Sequence, residues 1–208
     1  MSTPASTPAS ASHADHVPTA PESDRHRSSR AVVLRWMASF LGFPLGGLAA
    51  MLLVGPVDSM TAALPGGLVT GAVLGVVQGL GQRLGARDVI IWAVATAAGL
   101  SLGLAVGAGV VGYGTELTDL VVQGVACGVA VGVAQGVVLR RGGGSGSLGW
   151  LGYAWPVYLG IVWALGWTIT TLVGVQVTDQ FTVFGSAGAV TVTALTSVLP
   201  LRRARRTP

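Results

Sequence analysis

The sequence has little of the chemistry that most enzymes and metalloproteins use. It contains one cysteine, Cys127, so an internal disulfide or a thiolate cluster is excluded. All of its histidines lie within the first 26 residues, which leaves no imidazole elsewhere for haem, for zinc or for activating a serine nucleophile. We therefore expect no catalytic residue set, no metal site and no cofactor.

Charged residues are also scarce, at 10% of the chain, and none of them is a lysine. Apolar residues make up 51%, and the mean hydropathy of +0.68 lies well above the range of soluble domains. The net charge of +4 comes from arginines that flank apolar runs and form no basic face, so nucleic acid is not an expected partner. The composition predicts an integral membrane protein in contact with the lipid bilayer.

Six apolar runs are long enough to cross, as helices, a hydrocarbon core of about 30 Å. None of them contains Asp, Glu, Lys, Arg or His, which argues against a proton relay or a pump driven by a buried carboxylate. The predicted fold is an all-α membrane domain over residues 34–203. Its six spans lie near 36–55, 63–82, 89–111, 120–139, 150–174 and 181–200.

The arginines are confined to one side of this arrangement. All 12 lie before the first span, in the second and fourth connections, or after the last span. Because arginine near span ends is retained in the cytoplasm, the pattern predicts that the N and C termini are both cytoplasmic. Arginine without lysine, together with abundant Ala, Gly and Val, is typical of a GC-rich bacterial genome, so the expected location is a bacterial plasma membrane.

The start of the chain differs in composition from the rest. It is rich in Ser, Thr, Pro and Ala and has few large apolar side chains, so it cannot bury enough surface to offset the entropy of ordering. We predict a disordered cytoplasmic tail at 1–33 and a short basic cytoplasmic tail at 204–208.

One glycine pattern occurs twice in the membrane domain. GLVTGAVLGVVQGLGQRL begins at Gly67 and GVACGVAVGVAQGVVLRR begins at Gly124, a shift of 57 positions. Pairing each span with the next gives three helical hairpins in one orientation, the third more diverged than the others. The pattern predicts parallel internal repeats about an axis along the membrane normal.

Glycines at intervals of four residues predict close helix packing in the bilayer, because small residues let backbones approach. We expect this packing along the second, third and fourth helices. The glycines are Gly67, Gly71, Gly75, Gly79, Gly99, Gly103, Gly124, Gly128, Gly132 and Gly136.

Each of the two repeats also places a glutamine, Gln78 or Gln135, on the glycine face and close to the arginines. Such an amide can bond to a neighbouring helix and hold the two helices together. Alternatively, the two glutamines line a polar vestibule around the pseudo-symmetry axis. The corresponding position in the sixth span is Ser197 or Val198, so a ring of three amides is not expected.

The connections on the opposite side contain only acidic charges. Asp58, Asp119 and Asp179 lie in equivalent connections of the three hairpins, and Glu116 lies close to Asp119. A pseudo-threefold arrangement would gather them around an outer mouth, as in the acidic rings of cation channels. The simpler interpretation is that short loops need polar residues and that acids are tolerated on this side.

The tryptophans follow the same topology. Trp36, Trp92 and Trp150 begin the three odd-numbered spans, so we predict their indoles at the cytoplasmic headgroup layer. Trp163 and Trp167 lie deeper, where they are expected to fill space beside a glycine.

The helix ends GVVQGLGQR at 75–83 and GVAQGVVLR at 132–140 share the pattern G-x-x-Q followed, five positions after the glutamine, by Arg. In this pattern the chain resembles uncharacterised bacterial multi-pass membrane proteins built from repeated glycine-rich hairpins. The resemblance covers about residues 36–203 and implies no activity. The P-x-[DE]-x-x-[KR] signature of mitochondrial carriers, which are also built from three hairpins, is absent.

Two classes of function fit these predictions. The first is a non-catalytic partner-binding or accessory membrane module that packs against another membrane protein, or against a second copy, through its glycine faces. The second is a small pore or facilitative carrier with Asp58, Asp119 and Asp179 at its outer mouth and Gln78 and Gln135 at its inner one. A wet central cavity would favour the pathway, and a dry interior with glycine stripes facing lipid would favour the module.

Overall fold

The structure is a computed structural model that describes residues 22–143, 147–175 and 184–204. Over these residues the regular structure is helical and no strand is present, which confirms the predicted all-α class. A short 3-10 turn, Ser39–Leu41, joins the first two helices into one continuous stretch. The helices are α1 (Glu22–Ala38), α2 (Gly42–Leu53), α3 (Met60–Gly81), α4 (Ala86–Val110), α5 (Leu117–Gly143), α6 (Ser147–Leu172), α7 (Ser186–Thr196) and α8 (Val198–Ala204).

Five helical stretches are long and apolar enough to cross a membrane. Each coincides, within a few residues, with one of the first five predicted spans, because the length of an apolar run sets the length of the helix that a bilayer can hold. The stretches are Arg30–Leu53, Met60–Gly81, Ala86–Val110, Leu117–Gly142 and Gly149–Leu172.

The sixth predicted span, 181–200, differs from the structure. Its beginning lies outside the described residues, and the described part is divided into α7, of 11 residues, and α8, of 7. Pro200 accounts for the break, since proline has no N–H to donate to the carbonyl of Thr196 and its ring clashes with that carbonyl. Neither helix alone has the roughly 20 residues that a span requires.

The N-terminal region also departs from the prediction of a disordered tail at 1–33. Residues 1–21 lie outside the described part of the chain, but α1 begins at Glu22, well before the predicted end of the tail. The sequence contains no proline or glycine between Glu22 and Gly42, so the apolar helix can continue backwards into the polar segment. The predicted tail at 204–208 falls, apart from Ala204, outside the described residues.

The helices form a closed ring. From α2 to α7 each helix packs against the next one in the sequence, and α1 contacts α7 and α8. One hydrogen bond at this junction runs from the indole Nε1 of Trp36 on α1 to the carbonyl oxygen of Thr193 on α7, at 2.8 Å. The first and last helices are therefore neighbours, and the ring encloses a common interior.

The interface of α3 with α4 is built on three glycines of α3. A Cβ atom added to Gly67 or Gly71 would lie 2.6 Å from the Cα of Ser101 or Ala97, and one added to Gly75 would lie 2.5 Å from the Cα of Ala93. These distances are too short for any side chain, so the two backbones are in direct contact. Gly79 is looser, with Val89 side-chain atoms at 3.2 Å.

The same kind of contact continues around the ring. Gly99 and Gly103 of α4 face the backbone of α5, where an added Cβ would lie 2.6 Å from the Cα of Val131 or Cys127. The glycines of α5 face α6 in the same way. Gly124 lies against Trp163 and Trp167, Gly128 against Leu159, Gly132 against Pro156, and Gly136 against Gly152. Because all ten predicted packing glycines are buried within this chain, a partner would have to use another surface.

An aromatic cluster fills the interior between α2, α6 and the residues before α7. Phe184 contacts Trp163 and Trp167 edge-on, with ring centroids 5.1 Å apart, and lies 5.5 Å from Phe43. Trp163 and Trp167 also lie against a glycine, Gly124, whose position the sequence did not indicate. Edge-to-face packing of this kind stabilises a core beyond the area that it buries.

Candidate functional site

Gln78 and Gln135 meet inside the helix ring. They belong to α3 and α5, which are separated in the ring by α4, yet the Nε2 of Gln135 lies 3.3 Å from the Oε1 of Gln78. The two amides therefore bond across the interior and not to lipid. They also link two helices that have no extensive packing of their own.

The Oε1 of each glutamine also accepts a hydrogen bond from an indole of the following helix. The Nε1 of Trp92 on α4 donates to the Oε1 of Gln78 at 3.1 Å. The Nε1 of Trp155 on α6 donates to the Oε1 of Gln135 at 2.8 Å. Both indoles are 1% exposed or less, so these amide oxygens supply the partners that a buried N–H requires.

Thr96 connects the Gln78–Trp92 pair with the Gln135–Trp155 pair. Its hydroxyl accepts a bond of 2.9 Å from the Nε2 of Gln135 and donates one of 2.8 Å to the carbonyl oxygen of Trp92. Gln78, Trp92, Thr96, Gln135 and Trp155 thus form one connected set, here called the amide–indole network. Its side chains join four helices of the ring, α3 to α6, and α4 supplies both Trp92 and Thr96.

Trp36 occupies a similar place at the junction of the ring, but its partner is a backbone carbonyl. The carbonyl of Thr193 is available because α7 ends at Thr196, so the N–H of Ser197 bonds to Ala194 and not to Thr193. The interruption of the last helix therefore creates the acceptor for Trp36. The carbonyl oxygen of Thr193 accepts the N–H of Trp36, just as the amide oxygens of Gln78 and Gln135 accept those of Trp92 and Trp155.

The prediction that Trp36 and Trp92 lie in the headgroup layer is wrong. They are 1% and 0% exposed, and both bury their N–H groups in bonds inside the ring. Trp150 is 63% exposed and stacks against the guanidinium of Arg202, which agrees with the interfacial prediction for that residue. The sequence signal was ambiguous because a tryptophan at the end of a span satisfies its N–H equally well at a headgroup or on a buried amide.

The space at the centre of the ring is about 10 Å³, close to the minimum that one water molecule needs. The three bonded tryptophans and both glutamines form much of its wall. It is lined by Trp36, Gln78, Trp92, Val131, Gln135, Trp155, Leu159, Trp163, Val192 and Thr196. Gln78 and Gln135 therefore bond between helices and also line the central cavity, which has room for about one water molecule.

Three of the four acidic residues predicted at an outer mouth lie among the described residues. Asp58 and Glu116 are exposed in the connections before α3 and α5, and Asp119 is half-buried in the first turn of α5 beside Gly114. Asp179 lies outside the described residues. Among the residues that the structure describes, no three acidic, histidine or cysteine side chains are close enough to hold a metal ion.

A larger cavity, of about 220 Å³, opens on the side of the arginines. It was missed at the level of sequence, where arginine served only as a marker of topology. This Arg203 pocket is lined by Leu84, Asp88, Trp92, Val138, Leu139, Gly142 and Arg203. Trp92 lines both this pocket and the central cavity, so its ring separates the two.

The electrostatics of the pocket centre on Arg203. Its guanidinium carbon lies 5.6 Å from the centre of the Trp92 ring, and its Nε is buried without a hydrogen-bond partner. Burial lowers the pKa of Arg203, and the charge of Asp88 raises it in part. A guanidinium remains protonated through such a shift, so the pocket has a fixed positive charge.

A third concavity lies on the outer surface of the ring, between α5 and α6. It has a volume of about 380 Å³ and an almost wholly apolar wall. Gly160 and Ala164, one helical turn apart, form its floor on α6. This α5/α6 groove is lined by Val125, Val129, Val157, Gly160, Ile161, Ala164, Leu165 and Thr168.

Comparison with protein-family models, with curated proteins and with solved structures finds no match for this chain.

Proposed function

We propose that the protein is a non-catalytic membrane module that binds another membrane-spanning protein. In this proposal the membrane domain has six spans, with α7 and α8 together forming the sixth, arranged as three parallel hairpins in a bacterial plasma membrane with both termini cytoplasmic. The observation that carries the proposal is the filled interior, in which the polar side chains bond to one another around a space of about 10 Å³.

A solute pathway needs a lumen whose polar groups are free to contact the solute. Here the oxygen atoms of Gln78 and Gln135 accept bonds from Trp92 and Trp155 instead. On the other side of this layer, the aromatic rings around Phe184 occupy the interior. A protein with such an interior acts through its outer surfaces.

The α5/α6 groove is the outer surface best suited to a transmembrane partner. Gly160 packs against α5, where an added Cβ would lie 2.9 Å from the Cγ2 of Val129. Ala164 is half-buried and has a single methyl group, so another helix could approach α6 closely at Ala164. Val157 and Ile161 form the rim of the groove and are 66% and 57% exposed. The expected partner is a transmembrane helix that presents small residues of its own.

Site-specific photo-crosslinking in cells tests this proposal. A photoreactive residue at Ile161, in the groove, is compared with one at Val106, which is 60% exposed on α4. We expect one defined membrane protein to be captured from Ile161 and not from Val106. Substitution Ala164→Leu, which fills the groove, should reduce that capture at least tenfold, and the captured protein should in turn capture this one.

The other outcomes are distinct. Crosslinks between two differently tagged copies of this chain would show that the groove joins identical subunits and would overturn binding to a different protein. Equal capture from Ile161 and Val106, or capture that Ala164→Leu leaves unchanged, would show that the groove is an ordinary lipid-facing surface. Either result would contradict the proposal.

The topology in this proposal is tested with single cysteines in a Cys127→Ala background. Thr115 is exposed in the connection before α5, Arg87 is exposed in the first turn of α4, and Ala204 is exposed at the end of α8. An impermeant maleimide added to intact cells should label Thr115→Cys and should leave Arg87→Cys and Ala204→Cys unlabelled until the cells are lysed. Labelling of Ala204→Cys in intact cells would contradict six spans with a cytoplasmic C terminus.

A small pore or facilitative carrier is the second candidate, because the Arg203 pocket and the central cavity share the ring of Trp92 as a wall. Movement of that one ring would join them. Flux in proteoliposomes tests this candidate: Trp92→Ala should raise solute flux above wild type, and changing Asp58, Asp119 and Asp179 together to Asn should lower any cation flux. No flux from folded, inserted wild type and Trp92→Ala protein would exclude it.

A further inference from the structure

The Arg203 pocket is built from four separate parts of the chain. Leu84 lies in the turn between α3 and α4, Asp88 and Trp92 in α4, Val138 and Leu139 in α5, and Arg203 in α8. Its volume of about 220 Å³ is below the range typical of drug-sized ligands but accommodates a small polar group. Two opposite charges and an aromatic face therefore surround one small space.

Arg203 has hydrogen-bonding capacity that the described part of the protein does not use. Its Nε is buried and has no partner, which is unfavourable for a charged donor. The guanidinium carbon lies 5.6 Å from the centre of the Trp92 ring, and this contact restrains the guanidinium without using its N–H groups as hydrogen-bond donors. A planar fork of this kind matches the oxygens of a phosphate or a carboxylate.

Asp88 is the second charge in the pocket. It lies in the first turn of α4, is exposed, and acts on Arg203 through its charge without bonding to the buried Nε. Asp88 and Arg203 thus line the same cavity, and Asp88 makes no hydrogen bond to the Nε of Arg203. A bare anion at Arg203 would be repelled by Asp88, and a bare cation at Asp88 would be repelled by Arg203.

We propose that the Arg203 pocket binds a small zwitterion, with its phosphate or carboxylate on Arg203 and its ammonium group on Asp88. The headgroup of an amino-phospholipid and a free solute such as phosphoethanolamine share this chemistry. The neighbouring contact of Arg202 with the exposed ring of Trp150 is typical of side chains at a membrane surface, where both sources are present. This site is independent of the α5/α6 groove.

Native mass spectrometry of the purified full-length protein tests the lipid source. The protein in an uncharged maltoside detergent is mixed with equal amounts of phosphatidylethanolamine and phosphatidylglycerol. We expect wild type to retain phosphatidylethanolamine at least fivefold more than phosphatidylglycerol. Arg203→Gln should reduce that retention at least tenfold, and Asp88→Asn should reverse the preference towards the anionic lipid.

A free source is tested by titrating the same protein with phosphoethanolamine and following tryptophan fluorescence, since Trp92 forms a wall of the pocket. Saturable quenching that displaces bound phosphatidylethanolamine shows that lipid and solute share the site. Saturable quenching without lipid retention assigns the pocket to a free zwitterion. Lipid retention without quenching assigns it to a headgroup whose acyl chains contribute to binding.

The matched control is Arg202→Gln, which removes the adjacent arginine and leaves the pocket intact. Arg203→Lys guards against a folding defect in Arg203→Gln, because it keeps the charge and removes the fork; it should bind at least threefold more weakly than wild type. Equal retention of both lipids by wild type and Arg203→Gln together with no response to phosphoethanolamine would overturn the proposal. An Arg202→Gln effect as large as that of Arg203→Gln would overturn it as well, because it would reflect general surface charge.

Discussion

The side-chain amides of Gln78 and Gln135, 57 residues apart in the sequence, are joined by a hydrogen bond of 3.3 Å inside the helix ring. Each amide oxygen also accepts a bond from the tryptophan of the next helix. The donors and acceptors at the centre are thus matched with one another, and the helices on either side of α4 are held at a fixed separation. The network therefore determines how far the ring can open.

Substitution Gln135→Leu should destabilise the fold by about 1–3 kcal/mol, because it leaves the buried N–H of Trp155 without an acceptor and removes the donor to Thr96. Thermal or denaturant unfolding of the purified protein in detergent measures this change. Trp155→Phe in the same background should restore part of the loss, since the orphaned donor is then absent. A variant as stable as wild type would show that the network makes no net contribution.

Gln123 provides a contrast on the same helix. Like Gln135 it is 2% exposed, but its Oε1 is buried without a hydrogen-bond partner. Gln123→Leu removes an unsatisfied polar atom while keeping most of the volume, so we expect unfolding free energy to remain within about 0.5 kcal/mol of wild type or to rise. A loss as large as that from Gln135→Leu would show that the Gln123 amide has a partner of comparable importance.

Whether a feature of this fold could be predicted from the sequence depends on the physical cause of that feature. The first five spans were predictable because their length is set by bilayer thickness and each is one uninterrupted apolar run. The last helix was not, because Pro200 divides it and its effect depends on which carbonyl would have accepted the missing bond. Pro200 is visible in the sequence. The hydrogen bond that Trp36 makes to the carbonyl of Thr193 is a tertiary contact, which the sequence does not show.

The candidate site was predictable only in part. Helical geometry placed Gln78 and Gln135 on the packed face, and both bond inside the ring. Their tryptophan partners could not be predicted, since the rotation of each helix about its own axis decides whether an indole at its end faces lipid or the interior. The Arg203 pocket was also out of reach, because it arises only when α4, α5 and α8 come together.

Gly71 gives a direct test of the close packing between α3 and α4. A Cβ there would lie 2.6 Å from the Cα of Ala97, so Gly71→Ala should force the helices apart and destabilise the protein by about 1–3 kcal/mol. Gly109, on α4, is the matched control, since it is exposed and an added Cβ there meets no atom within 4 Å. Gly109→Ala should be neutral or stabilising by up to about 1 kcal/mol, because alanine has the higher helix propensity. Equal effects of the two substitutions would contradict the packing argument.

The junction between α1 and α7 depends on a single directional bond, that from Trp36 to the carbonyl of Thr193. Trp36→Phe keeps an aromatic ring but removes the N–H donor and part of the side-chain volume. The carbonyl oxygen of Thr193 then accepts one hydrogen bond fewer. We expect a loss of about 1–3 kcal/mol in unfolding free energy. Trp150→Phe is the control, because Trp150 is 63% exposed and should change stability by no more than about 0.5 kcal/mol.

The location of the Trp36→Phe effect distinguishes this junction from general core packing. Hydrogen exchange measured by mass spectrometry should show increased exchange first in α7 and α8, which have few other contacts with α1, while the glycine-packed pair α3 and α4 remains protected. Loss of protection spread evenly over all helices would mean that the ring unfolds as one unit and that the junction is not its weakest point. Protection unchanged in α7 would show that the bond to Thr193 does not hold the ring closed.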